Sequence, residues 1–251
     1  MPEPLYHCIM DGKEFDALVR SRRSMRIYDQ EQPFDGLAVQ RSLERAVLAP
    51  NSSNMQLWEF YRVRDKEKLR VVAKYCMGQK AATTAREMVL VVVRRNLWKK
   101  HSRFMLQHYE QYYKEHPEQS HRLNRFKKYY GRMMPMYYFQ DWFGLWGRVR
   151  QLIVLFASFS RPVVWQVRKQ DLRVVCHKSA ALAAQTFMLS MQAEGYSTCP
   201  MEGFDSKKVK RYLNLPKGSE INMIISCGPP TKEGIYNERI RVPNESVIRE
   251  L

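Results

Sequence analysis

The sequence is poor in cysteine, and its few cysteines are not arranged as a metal or disulfide site. Among 251 residues there are five, Cys8, Cys76, Cys176, Cys199 and Cys227, an odd and widely spaced set with no CxxC pair. A structural zinc site needs closely spaced ligands, and a disulfide framework needs cysteines in even numbers. The sequence therefore argues against both and predicts reduced thiols in a cytoplasmic protein.

Glycine-rich phosphate loops are also missing. The chain has 11 glycines, but no stretch reads GxGxxG or GxxxxGK. This argues against a Rossmann or P-loop nucleotide site. The first residues, MPEPLYHCIMDGKEF, lack a basic start followed by an apolar core, so no secretory leader is expected.

Acidic residues are scarce relative to basic ones, and the imbalance is local. The chain has 42 Lys and Arg against 25 Asp and Glu, a net charge of +17. Residues 94–173 hold 17 of the basic and 5 of the acidic residues, a net charge of +12, together with 17 of the aromatic rings. Rings interleaved with cations suit single-stranded nucleic acid. No known nucleic-acid motif is present, however, so nucleic acid is not the expected partner.

Apolar periodicity predicts helices that alternate with strands. Residues 36–48 repeat apolar side chains at helical spacing after Asp35, the expected N-cap, and Pro50 would stop that helix. Residues 88–93 are a continuous apolar run, typical of a strand buried on both faces. Gly195 is placed to end a long helix over 171–194. The other predicted helices are 15–23, 66–77 and 207–213, and the other predicted strands are 59–64 and 221–226.

Residues 97–170 interrupt this alternation with a long, basic, aromatic-rich insertion. It shows helical patterns over 101–115, 121–130 and 142–167, with a break expected at Met133-Met134-Pro135-Met136. No internal repeat or low-complexity linker is evident. Because strands and helices interleave around it, the sequence predicts a single domain over 1–251, an α+β or α/β sandwich with a central sheet.

Two polar segments are candidate ligand contacts. Arg22-Arg23-Ser24-Met25-Arg26 puts three guanidiniums and a hydroxyl within five residues, and 49–58, APNSSNMQLW, is an irregular loop that ends in an amide and an aromatic ring. The first suits an anion, and the second could read the edge of a flat heterocycle. The plainer interpretations are a solvated basic helix end and an ordinary turn after Pro50.

Three later motifs follow in order: Cys199-Pro200-Met201-Glu202-Gly203-Phe204, Cys227-Gly228-Pro229 and Arg239-Ile240-Arg241. Together the five motifs resemble the FMN-dependent nitroreductase family. The resemblance covers about residues 12–96 and 171–245 and leaves out the middle of the chain. Each motif is weak alone, but their order, with matching helices and strands between them, makes a specific signal.

The resemblance implies a nitroreductase-like α+β sandwich with a central mixed, mainly antiparallel sheet flanked by helices. It also implies a homodimer with two FMN sites at its interface. The implied cofactor-binding residues fall in five groups along the chain: Arg22, Arg23, Ser24 and Arg26 at the phosphate, ribityl chain and pyrimidine edge; Pro50, Asn51, Ser52 and Asn54 from the other subunit; Gln79 at the pyrimidine edge; Pro200, Met201, Glu202 and Gly203 in the segment on the flavin's N5 side; and Arg239 and Arg241 over the phosphate.

The chemistry of these residue types agrees with the implied roles. Guanidinium forks match phosphate oxygens bidentately, and a cation near flavin N1 favours two-electron reduction. Gly203 would let the backbone approach N5 closely. No catalytic side chain is predicted, so protons would come from solvent. Cys176 and His177 are not expected to form a catalytic pair, because neighbours on a helix point about 100° apart.

The sequence therefore predicts an FMN-dependent oxidoreductase with a ping-pong mechanism. NAD(P)H would deliver hydride to the flavin, and a nitroaromatic, quinone-like or other conjugated acceptor would then take two electrons in the same pocket. One alternative is a specialised reaction on the same fold, either reductive dehalogenation or flavin breakdown. The other is a flavin-binding protein at a membrane surface that turns nothing over.

Three interpretations of the insertion stay open. It is a substrate lid and dimer-contact element whose rings stack on the acceptor, a peripheral contact with an anionic membrane, or the nucleic-acid surface disfavoured above. The membrane interpretation rests on residues 142–156, which mix Trp, Arg and aliphatic side chains as interfacial helices do. The uncharged run 151–160 is far too short to span a bilayer. The expected location is the cytoplasm, with or without peripheral attachment to a membrane.

Overall fold

The computed structural model describes residues 11–139, 141 and 145–251. Its strands are β1 (Trp58–Val63), β2 (Glu87–Val93), β3 (Ser197–Met201) and β4 (Glu220–Gly228). Its α-helices are α1 (Gly12–Ser21), α2 (Gly36–Ala46), α3 (Lys66–Tyr75), α4 (Lys80–Thr83), α5 (Trp98–Glu115), α6 (Leu123–Lys128), α7 (Met134–Tyr138), α8 (Leu145–Ser158), α9 (Lys169–Ala193), α10 (Ser206–Tyr212) and α11 (Asn244–Val247). Short 3₁₀ turns cover Ser52–Asn54, Arg95–Leu97 and Pro117–Arg122, and a π turn covers Tyr129–Met133.

The strands form one antiparallel sheet in the order β1-β2-β4-β3. β2 pairs with β1 on one side and with β4 on the other, and β3 lies at the edge beyond β4. Within the described residues the one parallel pairing is an isolated bridge between Ser24 and Thr198. The α+β class and the mainly antiparallel pairing are confirmed, whereas the expected mixed character is not seen, because every strand pair in the described residues is antiparallel. The α3–α4 and α10 connections each return the chain to the end of the sheet that it left, which makes β1 antiparallel to β2 and β3 antiparallel to β4.

Two hydrophobic layers cover the two faces of β2, whose residues are buried throughout. Val89, Val91 and Val93 enter the layer built with α2 and α9. The residues between them, such as Leu90, enter the layer built with α3 and α10. Because successive strand side chains point to opposite faces, only a continuous apolar run can serve both layers. The predicted doubly buried strand at 88–93 is confirmed.

The edge strand β3 is absent from the sequence prediction. Its sequence, STCPM, is short, and Pro200 argues against a central strand. At a sheet edge the missing N–H of proline does not disrupt pairing on the inner side. β3 pairs there with β4 from Ser197–Gly228 to Met201–Ile224.

Helices α2 and α9 follow the sequence prediction closely. The Asp35 carboxylate caps α2 by accepting a hydrogen bond from Leu37 N at 2.8 Å. α9 buries Ala180, Ala183 and Ala184 completely, so the small residues at its centre let neighbouring elements pack close. Gly195, two residues after the end of α9, takes a φ of +81°, a conformation that favours glycine at a helix C-terminus.

The first half of the insertion packs onto the core through its rings. Tyr109 stacks on Phe126 with ring centroids 3.8 Å apart, and Tyr130 and Tyr138 are buried in the α2–α9 layer. The break expected at 133–136 is wrong. The chain stays helical through the π turn into α7, because Pro135 lies in the first turn of α7, where its missing N–H costs nothing.

The second half of the insertion is much less covered. The helix expected over 142–167 runs from Leu145 to Ser158; residues 142–144 lie outside the described part. Gly147 and Arg150 are buried, and most of the other α8 side chains are exposed or half-buried. Within the described ranges, every helix is too short or too polar to cross a bilayer.

Candidate functional site

Five arginines from two distant parts of the chain line one cleft. Its volume is about 440 Å³, and we call it the arginine cleft. Its basic lining residues are Arg22, Arg23, Arg26, Arg239 and Arg241. The first three follow α1 directly, and the last two lie in the C-terminal tail. The structure therefore brings together two of the motifs that the sequence singled out.

The backbone of residues 24–26 is fixed against the sheet edge and the tail. Met25 N donates to Thr198 O in β3 at 3.1 Å, and Arg26 N donates to Gly234 O at 2.7 Å. A Cβ on Gly234 would lie 2.4 Å from Ile27 O, so only glycine permits this close approach. The tail is thereby locked beside the arginine motif.

Two of the cleft arginines also hold the cleft together. Arg23 Nη2 donates to Asn237 O at 2.5 Å, and Arg239 Nη2 donates to Arg20 O at 3.0 Å and to Arg22 O. A guanidinium carries five N–H donors, so each of the two has donors left for a ligand. Arg241 Nη1 donates to Ile240 O at 2.7 Å.

The electrostatics of the cleft favour an anion. Burial, and then the charges of Arg239, Arg241 and Arg23, lower the pKa of Arg22. Among the residues that the structure describes, Glu238 is the one acid that lines the cleft. An anionic ligand would relieve the repulsion among these like charges, and a phosphate matches the geometry of the guanidinium forks.

The Glu202–Gly203 segment lies at the other end of β3. Thr198 and Met201 are three residues apart, which corresponds to about 10 Å of strand. Glu202 and Gly203 follow and are exposed, and a Cβ on Gly203 would meet no atom within 4 Å. The backbone here therefore faces open space. An elongated ligand with its anionic end in the arginine cleft could extend along β3 toward it.

Gln79 lies beside this segment, and its expected contact with the pyrimidine edge of a flavin stays a prediction. Its Nε2 donates to Gly203 O at 3.3 Å and to Cys76 O at 3.1 Å. Met201 contributes differently from its neighbours, because its side chain is buried in the core. Met201 could meet a ligand only through its backbone. The ring of Pro200 is half-buried, so part of it is open to a ligand.

The loop around residues 50–54 is a separate feature within one chain. Pro50, Ser52 and Asn54 are exposed, and Asn51 Oδ1 accepts a hydrogen bond from Gln56 N at 2.8 Å. None of these residues lines the arginine cleft. Their meeting with the cleft through a second copy of the chain therefore stays a prediction.

The insertion holds this loop in an unusual conformation. Ser53 and Asn54 have φ angles of 57° and 50°, which are uncommon for residues other than glycine. Ser53 Oγ and Tyr129 Oη are 2.8 Å apart, and Tyr130 Oη donates to Ser53 O at 3.0 Å. His101 Nδ1 lies 2.8 Å from Met55 O. These contacts were missed from the sequence, since nothing in the spacing of 101 or 129–130 links them to residues 53–55.

Comparison with known proteins decides the family. A model of the nitroreductase family matches residues 19–229, most of the chain. The chain belongs to the nitroreductase family. The match spans the arginine motif, the 49–58 loop and the Glu202–Gly203 segment. The predicted class, an oxidoreductase of this family, is confirmed.

Individual members of the nitroreductase family are distant in sequence and similar in fold. Protein DrgA of Synechocystis is 25% identical over 237 residues, covering 94% of this chain and 93% of DrgA. The crystal structure of ydfN from Bacillus subtilis superimposes with a TM-score of 0.71 at 22% identity, covering 95% of this chain and 99% of ydfN. The NADPH:FMN oxidoreductase of Vibrio harveyi, solved with NAD+, gives a TM-score of 0.60 at 17% identity and covers 94% and 76%.

Cys176 and His177, which adjoin in the sequence, make structural contacts. Burial raises the pKa of the Cys176 thiol to about 11, which disfavours the thiolate that a nucleophile needs. His177 packs instead against Asn222, with Asn222 Nδ2 3.0 Å from its Nδ1. The described ranges contain no cluster of three His, Cys, Asp or Glu side chains able to hold a metal ion.

Proposed function

We propose that this nitroreductase-family chain is an FMN-dependent oxidoreductase of the cytoplasm. It takes hydride from NAD(P)H and passes two electrons to a nitroaromatic, quinone-like or other conjugated acceptor in a ping-pong cycle. The observation that carries this proposal is the arginine cleft, which gathers five guanidiniums beside β3 in a chain of this family. Such a cleft suits the phosphate end of FMN.

The proposed contacts run along the length of the cofactor. Arg22 and Arg239 would hold the phosphate, and Arg26 would bring a positive charge toward the pyrimidine edge. The exposed backbone at Glu202–Gly203 would lie on the N5 side, with Gln79 holding that turn in place. Bound FMN would supply the redox chemistry itself. The protein binds and orients both substrates, and the proton reaches the acceptor from solvent.

A homodimer would complete each site. Ser52 and Asn54 are exposed and stand apart from the arginine cleft of their own chain, so a second copy is needed to bring them to the flavin. α1 supports this arrangement, because its apolar residues Phe15 and Val19 are exposed and none of its residues is buried. A partner subunit would cover such a face.

Similar proteins support the choice of cofactor and donor. The Vibrio harveyi protein is named as an NADPH:FMN oxidoreductase and was solved with NAD+. A structure from Exiguobacterium sibiricum contains FMN and superimposes with a TM-score of 0.66 at 20% identity. These names describe those proteins. For this chain, FMN binding is inferred from the arginine cleft.

An anaerobic titration of purified protein with NADH and NADPH tests the proposal. We expect the protein to copurify with FMN, its flavin absorbance to bleach rapidly on addition of the donor, and a nitroaromatic or quinone to restore it. Colourless protein that fails to bind added FMN would remove the central claim. Bleaching without efficient transfer to any nitroaromatic or quinone would favour a specialised reaction, either dehalogenation or flavin breakdown.

A further inference from the structure

One side of α8 is an exposed apolar stripe. Five side chains recur at intervals of three and four residues along it, and all of them are exposed: Leu145, Val149, Leu152, Ile153 and Phe156. That spacing places them on a single side of the helix. Phe156 is 71% exposed, so the stripe is not a partly covered core face. The opposite side carries Gly147 and Arg150, which are buried.

The stripe continues beyond the helix into a larger surface. Phe159 is 81% exposed, and Val164 and Trp165 are also exposed. A groove of about 710 Å³ joins Leu152 and Leu155 to Trp165. We call these eight exposed side chains the α8 patch: Leu145, Val149, Leu152, Ile153, Phe156, Phe159, Val164 and Trp165. Large exposed apolar side chains clustered in this way mark an interaction site.

The described charges next to the α8 patch along the chain are predominantly positive. Residues 145–170 contain no Asp or Glu, and exposed basic side chains surround the patch at Arg148, Arg161, Arg168 and Lys169. The two flanking carboxylates face backbone groups instead. Asp141 accepts hydrogen bonds from Leu145 N and Trp146 N, and Asp171 accepts one from Arg168 N.

The protein body holds α8 firmly in this orientation. Arg150 Nη1 donates to Met136 O at 3.2 Å and to Tyr137 O. Trp146 Nε1 also donates to Met136 O, and Tyr137 Oη donates to Gln166 O at 3.0 Å. These bonds tie α7, α8 and the following segment together, so the α8 patch is formed before any partner arrives.

We propose that the α8 patch is a peripheral docking surface for an anionic lipid bilayer. Its apolar side chains enter the boundary between headgroups and acyl chains, while the surrounding cations pair with lipid phosphates. A second copy of the chain fits less well. A two-fold contact would set the four cations of one copy against those of the other, and like charges opposed across an interface disfavour association. The proposal does not depend on flavin binding.

Sedimentation with lipid vesicles tests this surface. Full-length protein is mixed with phosphatidylcholine vesicles that contain or lack phosphatidylglycerol, at low and at high salt. We expect binding to the anionic vesicles only, weakened by salt. Leu152→Gln/Phe156→Gln keeps the charge and should weaken binding at least tenfold, because two large side chains no longer enter the bilayer. Arg148→Glu/Arg161→Glu should weaken it by about 30-fold or more, since each basic residue near such a surface contributes about 1 kcal/mol.

A matched control separates the contribution of the α8 patch to vesicle binding from that of the net charge of +17, which by itself attracts anionic vesicles. Lys207→Glu/Lys217→Glu makes the same charge change on exposed residues elsewhere and should retain most of the binding. Equal losses in both charge variants, or unchanged binding by the Leu152/Phe156 variant, would overturn the proposal. So would a change in oligomeric mass caused by the Leu152/Phe156 variant without vesicles, which would assign the patch to a second copy. NAD(P)H oxidation in solution should be the same in every variant.

Discussion

At the scale of single residues, the arginine cleft gathers like charges before any anion arrives. Burial and three neighbouring guanidiniums lower the pKa of Arg22, so the charged form of this side chain is less favourable here than in water. Hydrogen bonds from Arg23 and Arg239 to backbone carbonyls maintain the arrangement. A phosphate would convert that repulsion into attraction, because the donors are already in position.

Replacing Arg22 with glutamine should weaken FMN binding by about ten- to a hundredfold, since a hydrogen bond to a charged group contributes about 1.5–3 kcal/mol. The dissociation constant can be measured by quenching of flavin fluorescence. Arg20→Gln is the matched control, because Arg20 lies two residues earlier, is exposed and pairs with Asp16 at 2.6 Å. Similar losses in both variants would contradict a specific role for Arg22.

The tyrosines that hold the 50–54 loop give a second prediction at this scale. Tyr129→Phe removes the hydroxyl beside Ser53 Oγ and leaves the ring in place. A single neutral hydrogen bond contributes about 1 kcal/mol, so FMN binding should weaken about fivefold. Tyr112→Phe, on α5 and away from the loop, should bind FMN as the wild type does. If Tyr129→Phe binds equally well, the insertion does not position the loop for the flavin.

At the scale of elements, α2 and α9 are tied together by one carboxylate. Glu194, directly after α9, pairs with Arg41 at 2.5 Å and with Arg45 at 2.5 Å, both in α2. The hydrogen bonds from Arg41 and then Arg45 lower the pKa of Glu194 to about 2. Since the folded-state pKa lies below the ordinary value near 4.5, this tie stabilises the fold above pH 4.5 and is lost as the pH falls toward 2.

Glu194→Gln should therefore destabilise the fold by an amount that depends on pH. Urea unfolding from neutral pH down to about pH 3 should show a constant difference from the wild type above the ordinary carboxyl pKa and a shrinking difference below it. Glu44→Gln is the control. The Glu44 carboxylate lies on α2 and is bonded only to Gln40 among the described contacts, so the stability difference between this variant and the wild type should depend little on pH. A difference for Glu194→Gln that stays the same at every pH would exclude the ion pairs as its cause.

At the scale of the whole molecule, the candidate site is divided. The arginine cleft, the Glu202–Gly203 segment and Gln79 lie along one edge of the sheet. The exposed 50–54 loop lines no part of the cleft and is bonded to the insertion instead. A dimer that brings the loop of one chain to the cleft of the other would unite them. Its mass would be twice the 29.9 kDa of the chain.

Mixing two variants that each weaken the FMN site, at an FMN concentration that fills only intact sites, tests whether the site is shared between chains. Arg22→Gln damages the cleft, and Asn54→Gly removes a loop side chain while suiting its φ of 50°. In a shared arrangement each mixed dimer has one intact site of its two. Because about half of the dimers are mixed after equal amounts exchange subunits, about a quarter of the wild-type turnover should return. No recovery, with mixed dimers demonstrated by mass, would place the complete site within one chain.

Much of the fold followed from the sequence, whereas the roles of the candidate site residues stay predictions. The Asp35 cap, the doubly buried β2 and the end of α9 at Gly195 are local, since each depends on residues close in the chain. β3 was missed because its short sequence with Pro200 has no strand signal of its own. The helical passage through Met133–Met136 was missed because proline is tolerated at the start of a new helix.

The sequence by itself determined the family, the order of the motifs and the residue types that a phosphate-bearing flavin requires. Only the tertiary structure decided that residues 22–26 and 239–241 share one cleft, because that contact joins segments more than 200 residues apart through the edge of β3 and the close approach at Gly234. It also divided the basic insertion in two. The rings of the first half pack inward because α5, α6 and the π turn bring them together, while α8 keeps an apolar face toward the outside.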